Sequence, residues 1–308
     1  MKDKLLHLFY TGLFGSLARL PFNALYKVSD AMCWVLLHVW HYRRRVVRKN
    51  LLRVFPERSD AERRELEVAF YHHLCDIFME SIKSLHISDE ELRQRIVVRG
   101  TELVDEYARQ GYPVFMLLGH YANWEWIPYT YSQFSEPIVC AYLYRPTRDK
   151  ASNDILLRIR SRYNGVPITQ KRAVRTLLEM KRAGKPFLVS FVSDQHPNSK
   201  VMKHWTTFLG QDSMYVTGAE EIGRKVDARY VFCDATKVSR GHYRYTLRPM
   251  EPVEGEEFPY TISYLRMMET MIHRQPELWL WSHNRWNISR EEYNARQAAT
   301  SNPQYASN

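Results

Sequence analysis

Nowhere in this sequence does an apolar run reach the roughly 20 residues that a bilayer-spanning helix needs. Arg19, Asn23, Lys27 and Asp30 break up the first apolar stretch, and the second, residues 31–40, is short and contains His38. Such a chain is expected to lie on a membrane rather than to cross one. Residues 5–18 carry no formal charge, but no small-residue cleavage site follows them before Arg19 and Pro21, so no cleaved signal peptide is expected. Cysteine is sparse: Cys33, Cys75, Cys140 and Cys233 form no CxxC pair and no Cys/His ligand spacing. That pattern argues against a disulfide framework or a zinc ribbon and points to a reducing compartment, with the thiols as small core residues. There is no GxxxxGK followed by Ser or Thr and no GxGxxG, which disfavours nucleotide-driven chemistry.

In excess are positive charge and aromatic rings. The 308 residues carry a net charge of +10, and 8 Trp and 20 Tyr stand among 13% aromatics. A basic, Trp- and Tyr-rich chain suits an anionic partner: nucleic acid, an anionic lipid surface or an acidic carrier protein. Charge alone does not choose among them. Apolar residues at 45% and charged residues at 25% are ordinary for a globular chain and exclude wholesale disorder.

Leu5, Leu6, Phe9, Leu13, Phe14, Leu17 and Leu20 recur at helical spacing. A second helical segment, 29–40, ends in Arg43, Arg44, Arg45, Arg48 and Lys49. An apolar helix followed by clustered cations is the pattern of an interfacial anchor at an anionic surface. An amphipathic helix packed on the domain explains the periodicity as well; Trp34, Trp40 and Tyr42 beside the basic run favour the membrane. It also separates the chain from nucleic-acid binders, because the basic run adjoins no recognisable reading element. Residues 60–86 read as a long helix with Phe70, Leu74, Ile77, Phe78, Ile82 and Leu85 on its buried face, and another helix starts at Ser88 with a capping box.

Beyond Ile96 strands and helices alternate. Strands are expected at 96–99, 113–118, 137–144, 187–193, 228–233 and 243–248, and helices at 101–109, 123–131, 149–163, 172–182, 214–225 and 260–273. The expected fold class is α/β: a mixed, largely parallel central sheet flanked by helices, with N-terminal membrane-contacting helices. The expected division is an anchor over 1–49, a helical packing segment over 50–95, the α/β core over 96–293 and a disordered tail over 294–308.

The sharpest chemical feature is Gly119-His120-Tyr121-Ala122-Asn123-Trp124-Glu125-Trp126, directly after an apolar strand. In open α/β folds catalytic groups gather at the carboxyl ends of strands. Residues five apart are separated by about 140° around a continuous helix, so His120 and Glu125 meet only if His120 lies in the turn and Glu125 one turn into the next helix. A carboxylate on one imidazole nitrogen fixes the tautomer and leaves the other free to take a proton from a hydroxyl. A structural His beside an unrelated helix-terminal Glu accounts for the same residues. A metal hydrolase built on His120, Asp194, His196 and His204 is a rival, since Asp-x-His is tolerable ligand spacing, but no HExxH block supports it.

The GHYANWE block resembles the H-x₄-D/E motif of glycerolipid acyltransferases, in the Asn-Trp-Glu variant of the lipid A late acyltransferase (lauroyl/myristoyl) family. Tyr144-Arg145-Pro146 looks like that family's Arg-Pro block, and Ser193-Asp194-Gln195-His196 resembles its Asp-Gln/Asp-His block. Thr207-Phe208-Leu209-Gly210 is similar to its Phe-Phe-Gly segment, and Trp281-Ser282-His283-Asn284-Arg285-Trp286 to its terminal Trp-x-His-x-Arg-Trp/Phe block. Leu209 stands where a second Phe is commoner, and Asn284 where a basic residue is frequent. The resemblance implies His120 as base, Glu125 as its orienting partner, Arg145 as a phosphate or acyl-donor contact and Asp194 as an active-site carboxylate. It also implies an acyl carrier protein thioester as donor, a lipid A precursor hydroxyl as acceptor, the cytoplasmic face of the inner membrane as location, and neither cofactor nor metal. Acylation of another lysolipid or aminolipid is the alternative within the same chemistry. From the residues alone, Arg145 serves equally in a surface ion pair, Asp194 as a turn cap, and Arg285 as a stacked structural cation.

Overall fold

The computed structural model describes residues 12–147, 149–197 and 204–301. Leu5, Leu6 and Phe9 of the first apolar stripe lie outside them. Four helices lead the chain: α1 over 12–19, α2 (Phe22–Val35), α3 (Arg44–Val54) and α4 (Asp60–Lys83), with a π-helical turn, Leu36–Trp40, extending α2. The α/β layer follows: α5 (Asp89–Arg95), β1 (Ile96–Arg99), α6 (Thr101–Arg109), β2 (Val114–Leu118), a 3₁₀ segment (Trp124–Gln133), β3 (Val139–Tyr144), α7 (Lys150–Arg160), β4 (Val166–Thr169), α8 (Ala173–Arg182) and β5 (Phe187–Val192). It ends with the hairpin β6 (Trp205–Phe208) and β7 (Gln211–Met214), then α9 (Gly218–Val226), β8 (Arg229–Ser239), β9 (His242–Pro249), α10 (Pro259–Arg274) and α11 (Arg290–Ser301).

Seven strands form one sheet in the order β1-β9-β8-β2-β5-β3-β4. Every pairing is parallel except β8 with β9. β2 lies at its centre, and all five of its residues are buried, as a parallel strand covered on both faces must be. The α/β expectation with a largely parallel sheet holds. Among the described residues no helix is long and apolar enough to cross a membrane.

Several local expectations change. The 123–131 helix is a 3₁₀ segment with Pro128 inside it, since proline has no N–H for an α-helical bond. The helix expected from Met214 starts at Gly218, because Gln211–Met214 pairs with Trp205–Phe208 as an antiparallel ribbon. Phe78 is not on the buried face of α4; it is 47% exposed and meets Phe14 edge-on at 6.3 Å. α11 runs to Ser301, and residues 302–308 of the expected disordered tail lie outside the described ones.

α4 starts at a capping box: Glu62 N–H donates to Ser59 Oγ at 3.3 Å, and Ser59 N–H donates to Glu62 Oε2 at 2.7 Å. Near its other end it carries a buried carboxylate that organises the core. Glu80 accepts from Tyr26 Oη (2.9 Å), Asn123 Nδ2 (2.7 Å) and Tyr243 Oη (2.8 Å), joining α2, β9 and the turn after β2. Burial, with Asp76 beside it, pushes its carboxyl up to about 7 against the hydrogen bonds from Tyr243 and Tyr26. A Glu80→Gln protein should fold, because hydroxyls can turn to accept from an amide, whereas Glu80→Leu leaves the buried Asn123 and Tyr243 and the half-buried Tyr26 without this partner and should cost about 3 kcal/mol or more. A raised carboxyl pKa gives stability that is present at low pH and lost as pH rises from about 4.5 through 7. Glu80→Gln should therefore gain on the wild type across that window in urea unfolding. A constant difference between the two would refute a role for its titration.

Candidate active site

Strand register brings the site together. Leu118 of β2 pairs with Val192 of β5, so the residues two positions further, His120 and Asp194, leave adjacent strands side by side. Neighbouring strands run about 4.8 Å apart, within side-chain reach. Asp194 Oδ1 lies 2.7 Å from His120 Nδ1, and Oδ2 accepts the His120 backbone N–H at 3.0 Å. The indole N–H of Trp279 donates to the same Oδ2 at 2.8 Å. Burial alone would raise the Asp194 carboxyl; its attraction for a protonated His120 and these hydrogen bonds outweigh that and hold the carboxyl below its ordinary value.

The turn carrying His120 is fixed on all sides. A Cβ at Gly119 would stand 2.3 Å from Met268 Cε, so any larger residue there would have to displace the end of that side chain from α10. Tyr121 bridges to Trp279, with Leu280 N–H donating to His120 O at 3.1 Å and Ala122 N–H to Leu278 O at 3.0 Å. Tyr121 Oη donates to Met271 O at 2.9 Å, and Asn123 Oδ1 accepts from Trp126 N–H at 3.2 Å, starting the 3₁₀ segment.

Glu125 is not the carboxylate on His120. It is buried and faces Arg160 on α7, whose Nε donates to Oε2 at 2.8 Å and whose Nη2 donates to Oε1 at 2.5 Å. That is a bidentate pair of the kind a guanidinium forms best. Glu125 reaches the histidine only through Trp124. The indole N–H of Trp124 donates to Glu125 Oε1 at 3.1 Å, and its ring stands edge-to-face on the His120 ring at 5.3 Å. The expected His120–Glu125 pair is thus corrected: the 3₁₀ segment turns Glu125 toward α7, and β5 supplies the carboxylate instead.

With Nδ1 bound to a carboxylate, His120 carries its proton there and presents Nε2 as an acceptor. The Gln195 amide lies 3.3 Å from that Nε2, and the His120 side chain is 23% exposed. Arg145 follows β3, next to β5 in the sheet, and is exposed on the same edge. His196 offers its backbone N–H to His283 Nε2 at 3.0 Å, and burial holds His283 down to about 4, with Asp194 opposing, so it is neutral at neutral pH. His204 is turned elsewhere, 3.5 Å from Glu257 and edge-on to Phe258. Among the described residues no group of three or more His, Cys, Asp or Glu could hold a metal ion. Arg285 is buried, donates to Met214 O at 2.6 Å and lies over the Phe208 ring, a stacked cation. All four cysteines are buried thiols.

Arg160, Trp124 and Trp279 were not singled out from the sequence. Trp124 stood inside a recognised block, but nothing local distinguished Arg160 from its neighbours on a basic helix. The site is thus an imidazole open on one nitrogen and backed by a buried aspartate, and the sequence profile of the bacterial lipid A biosynthesis acyltransferase family matches residues 2–288. The chain belongs to that family. It is a transferase enzyme, a lipid A biosynthesis acyltransferase, and the family implies an acyl donor and a lipid A acceptor as its substrates. No individual curated protein matches it in sequence.

Proposed function

We propose that this lipid A acyltransferase moves a fatty acyl chain from an acyl carrier protein thioester to a hydroxyl of a lipid A precursor, with His120 as general base. The observation that carries the reading is the 2.7 Å contact of Asp194 with His120 Nδ1, which leaves Nε2 available at the open side. The acceptor hydroxyl takes the place of the Gln195 amide at Nε2 and gives up its proton as its oxygen attacks the thioester carbon. The C–S bond then breaks, and the imidazolium proton passes to the departing sulfur, so the products are an ester and a free thiol. Asp194 stabilises the imidazolium that forms between the two steps. Arg145 meets phosphate on donor or acceptor in this reading, which its exposure one strand beyond Asp194 supports. The net charge of +10 complements an acidic carrier and an anionic lipid surface alike, which supports work at the cytoplasmic face of the inner membrane.

The test is a transfer assay with acyl carrier protein and coenzyme A thioesters in parallel on a detergent-dispersed lipid A precursor. The expected result is thiol release that requires the acceptor, prefers the carrier protein and yields a product whose new acyl chain is removed by mild base. Release without acceptor, a base-stable amide, or equal use of coenzyme A would each overturn the corresponding part of the reading.

A further inference from the structure

A cluster of exposed apolar side chains lies at the end of α2. Trp34 is 59% exposed, Val39 58%, Trp40 75% and Tyr42 43%, although the opposite face of the same helix buries Phe22, Leu25 and Cys33. With Val35, five large apolar side chains face water within nine residues, which is unusual on a surface that stays wet, and Trp and Tyr are the residues that settle at headgroup depth in a bilayer. The segment is also rigidly displayed. A π-helical turn widens the helix over Leu36–Trp40, and His41 and Arg43, both at φ 50°, reverse the chain into α3. Tyr71 Oη donates to Tyr42 O, and Arg43 Nη1 donates to Ser282 O at 2.9 Å.

The neighbouring cations divide into two groups. Arg44 and Arg48 both pair with Glu67, at 3.0 and 2.8 Å, and Arg43 is used on Ser282. Arg45 and Lys49 remain exposed beside the aromatic patch. Glu67 offsets one of the run's five charges, and Arg43, Arg45, Arg48 and Lys49 are all exposed, so the cations and the apolar patch face the same side of any lipid contact together.

We propose that Trp34, Val39, Trp40 and Tyr42 form a wedge that seats in the interface of an anionic bilayer, flanked by Arg45 and Lys49 at the headgroups; this rests on the acyltransferase reading above. Its link to the site is direct. Ser282, held by Arg43, lies between Trp281 and His283, whose carbonyls both accept from Asn50 Nδ2 of α3, at 2.9 and 2.8 Å. The same strand-like segment carries Trp279, which donates to Asp194. Wedge and His120 turn thus share one frame, so seating the wedge fixes the height of the site above the membrane, where an amphipathic acceptor presents its hydroxyl.

The experiment uses the full chain, with flotation on vesicles of phosphatidylcholine and phosphatidylglycerol at low and high salt. Trp34→Ser/Trp40→Ser should lower partitioning by about tenfold at both salt concentrations, whereas Arg45→Gln/Lys49→Gln should remove mainly the part that salt already screens. Bromine-labelled lipids should quench wild-type tryptophan fluorescence and quench the double-Trp variant less. Transfer to a detergent-dispersed acceptor should remain within about twofold, since neither ring touches the His120 site. Undiminished flotation of the double-Trp variant would overturn the wedge, as would loss of detergent-phase activity in a variant with wild-type circular dichroism. Loss of a dimer in sedimentation velocity, with vesicle binding intact, would assign the patch to a second copy. A wild type that floats but transfers no acyl chain in detergent would refute the enzyme reading and leave the flotation comparison to judge the wedge.

Discussion

Replacing Asp194 by Asn should lower acyl transfer by about 10²–10⁴-fold, whereas Glu125→Gln should lower it by about tenfold or less. The asymmetry follows from what each carboxylate touches. Asp194 receives the Nδ1 proton of His120 at 2.7 Å, and an amide there both removes the charge that stabilises imidazolium and can offer an N–H where an acceptor is needed. Glu125 meets Arg160 in a bidentate pair, so its loss leaves a guanidinium short of its counter-charge and should appear chiefly as stability, on the order of 3 kcal/mol. Transfer rates and thermal unfolding of both variants separate the two roles. The Nδ1 proton resonance of His120 adds a readout that a merely structural carboxylate would not move: it should disappear or shift strongly in Asp194→Asn and persist in Glu125→Gln. The opposite ranking of rates would return the pairing to Glu125.

That contrast also marks where the sequence could be read and where it could not. The alternation of elements beyond Ile96 announced an α/β layer, and the apolar strand before Gly119-His120 placed the histidine at a carboxyl edge, because both signals are local. Strand order is not local. Nothing in residues 113–126 says that β5, some seventy residues later, lies beside β2 in register Leu118↔Val192, and that neighbour decides which carboxylate reaches the imidazole. Five-residue spacing made Glu125 the natural candidate, and a proline within the following turn redirected it. Short strands failed for a related reason: Val166–Thr169 and the hairpin over 205–214 are only four residues each side, too brief for alternation to stand out from the adjoining helices. Likewise the basic run after Trp40 could be counted from the sequence, but not that Glu67, on another helix, pairs with both Arg44 and Arg48 and offsets one of its charges.

His120→Ala should reduce transfer by about 10³-fold, to a residual rate that long incubations still measure, while the protein unfolds at close to the wild-type temperature. The stability expectation is specific, because the turn is held by backbone and by neighbours rather than by the ring. His120 O accepts from Leu280, Gly119 seats against Met268, and Tyr121 is anchored on Met271 and Gln275. Alanine keeps the backbone N–H that Asp194 Oδ2 accepts, so the carboxylate retains two of its three donors. The decisive measurement is the double variant His120→Ala/Asp194→Asn. If Asp194 acts only by orienting and charging the imidazole, its substitution can cost nothing further once the ring is gone, and the double variant should transfer as slowly as His120→Ala and no more slowly. Independent roles would instead multiply the two losses. Acyl-chain transfer by a folded His120→Ala protein at near the wild-type rate would remove the histidine from the chemistry, and with it the reason the sheet sets these two strands' ends together.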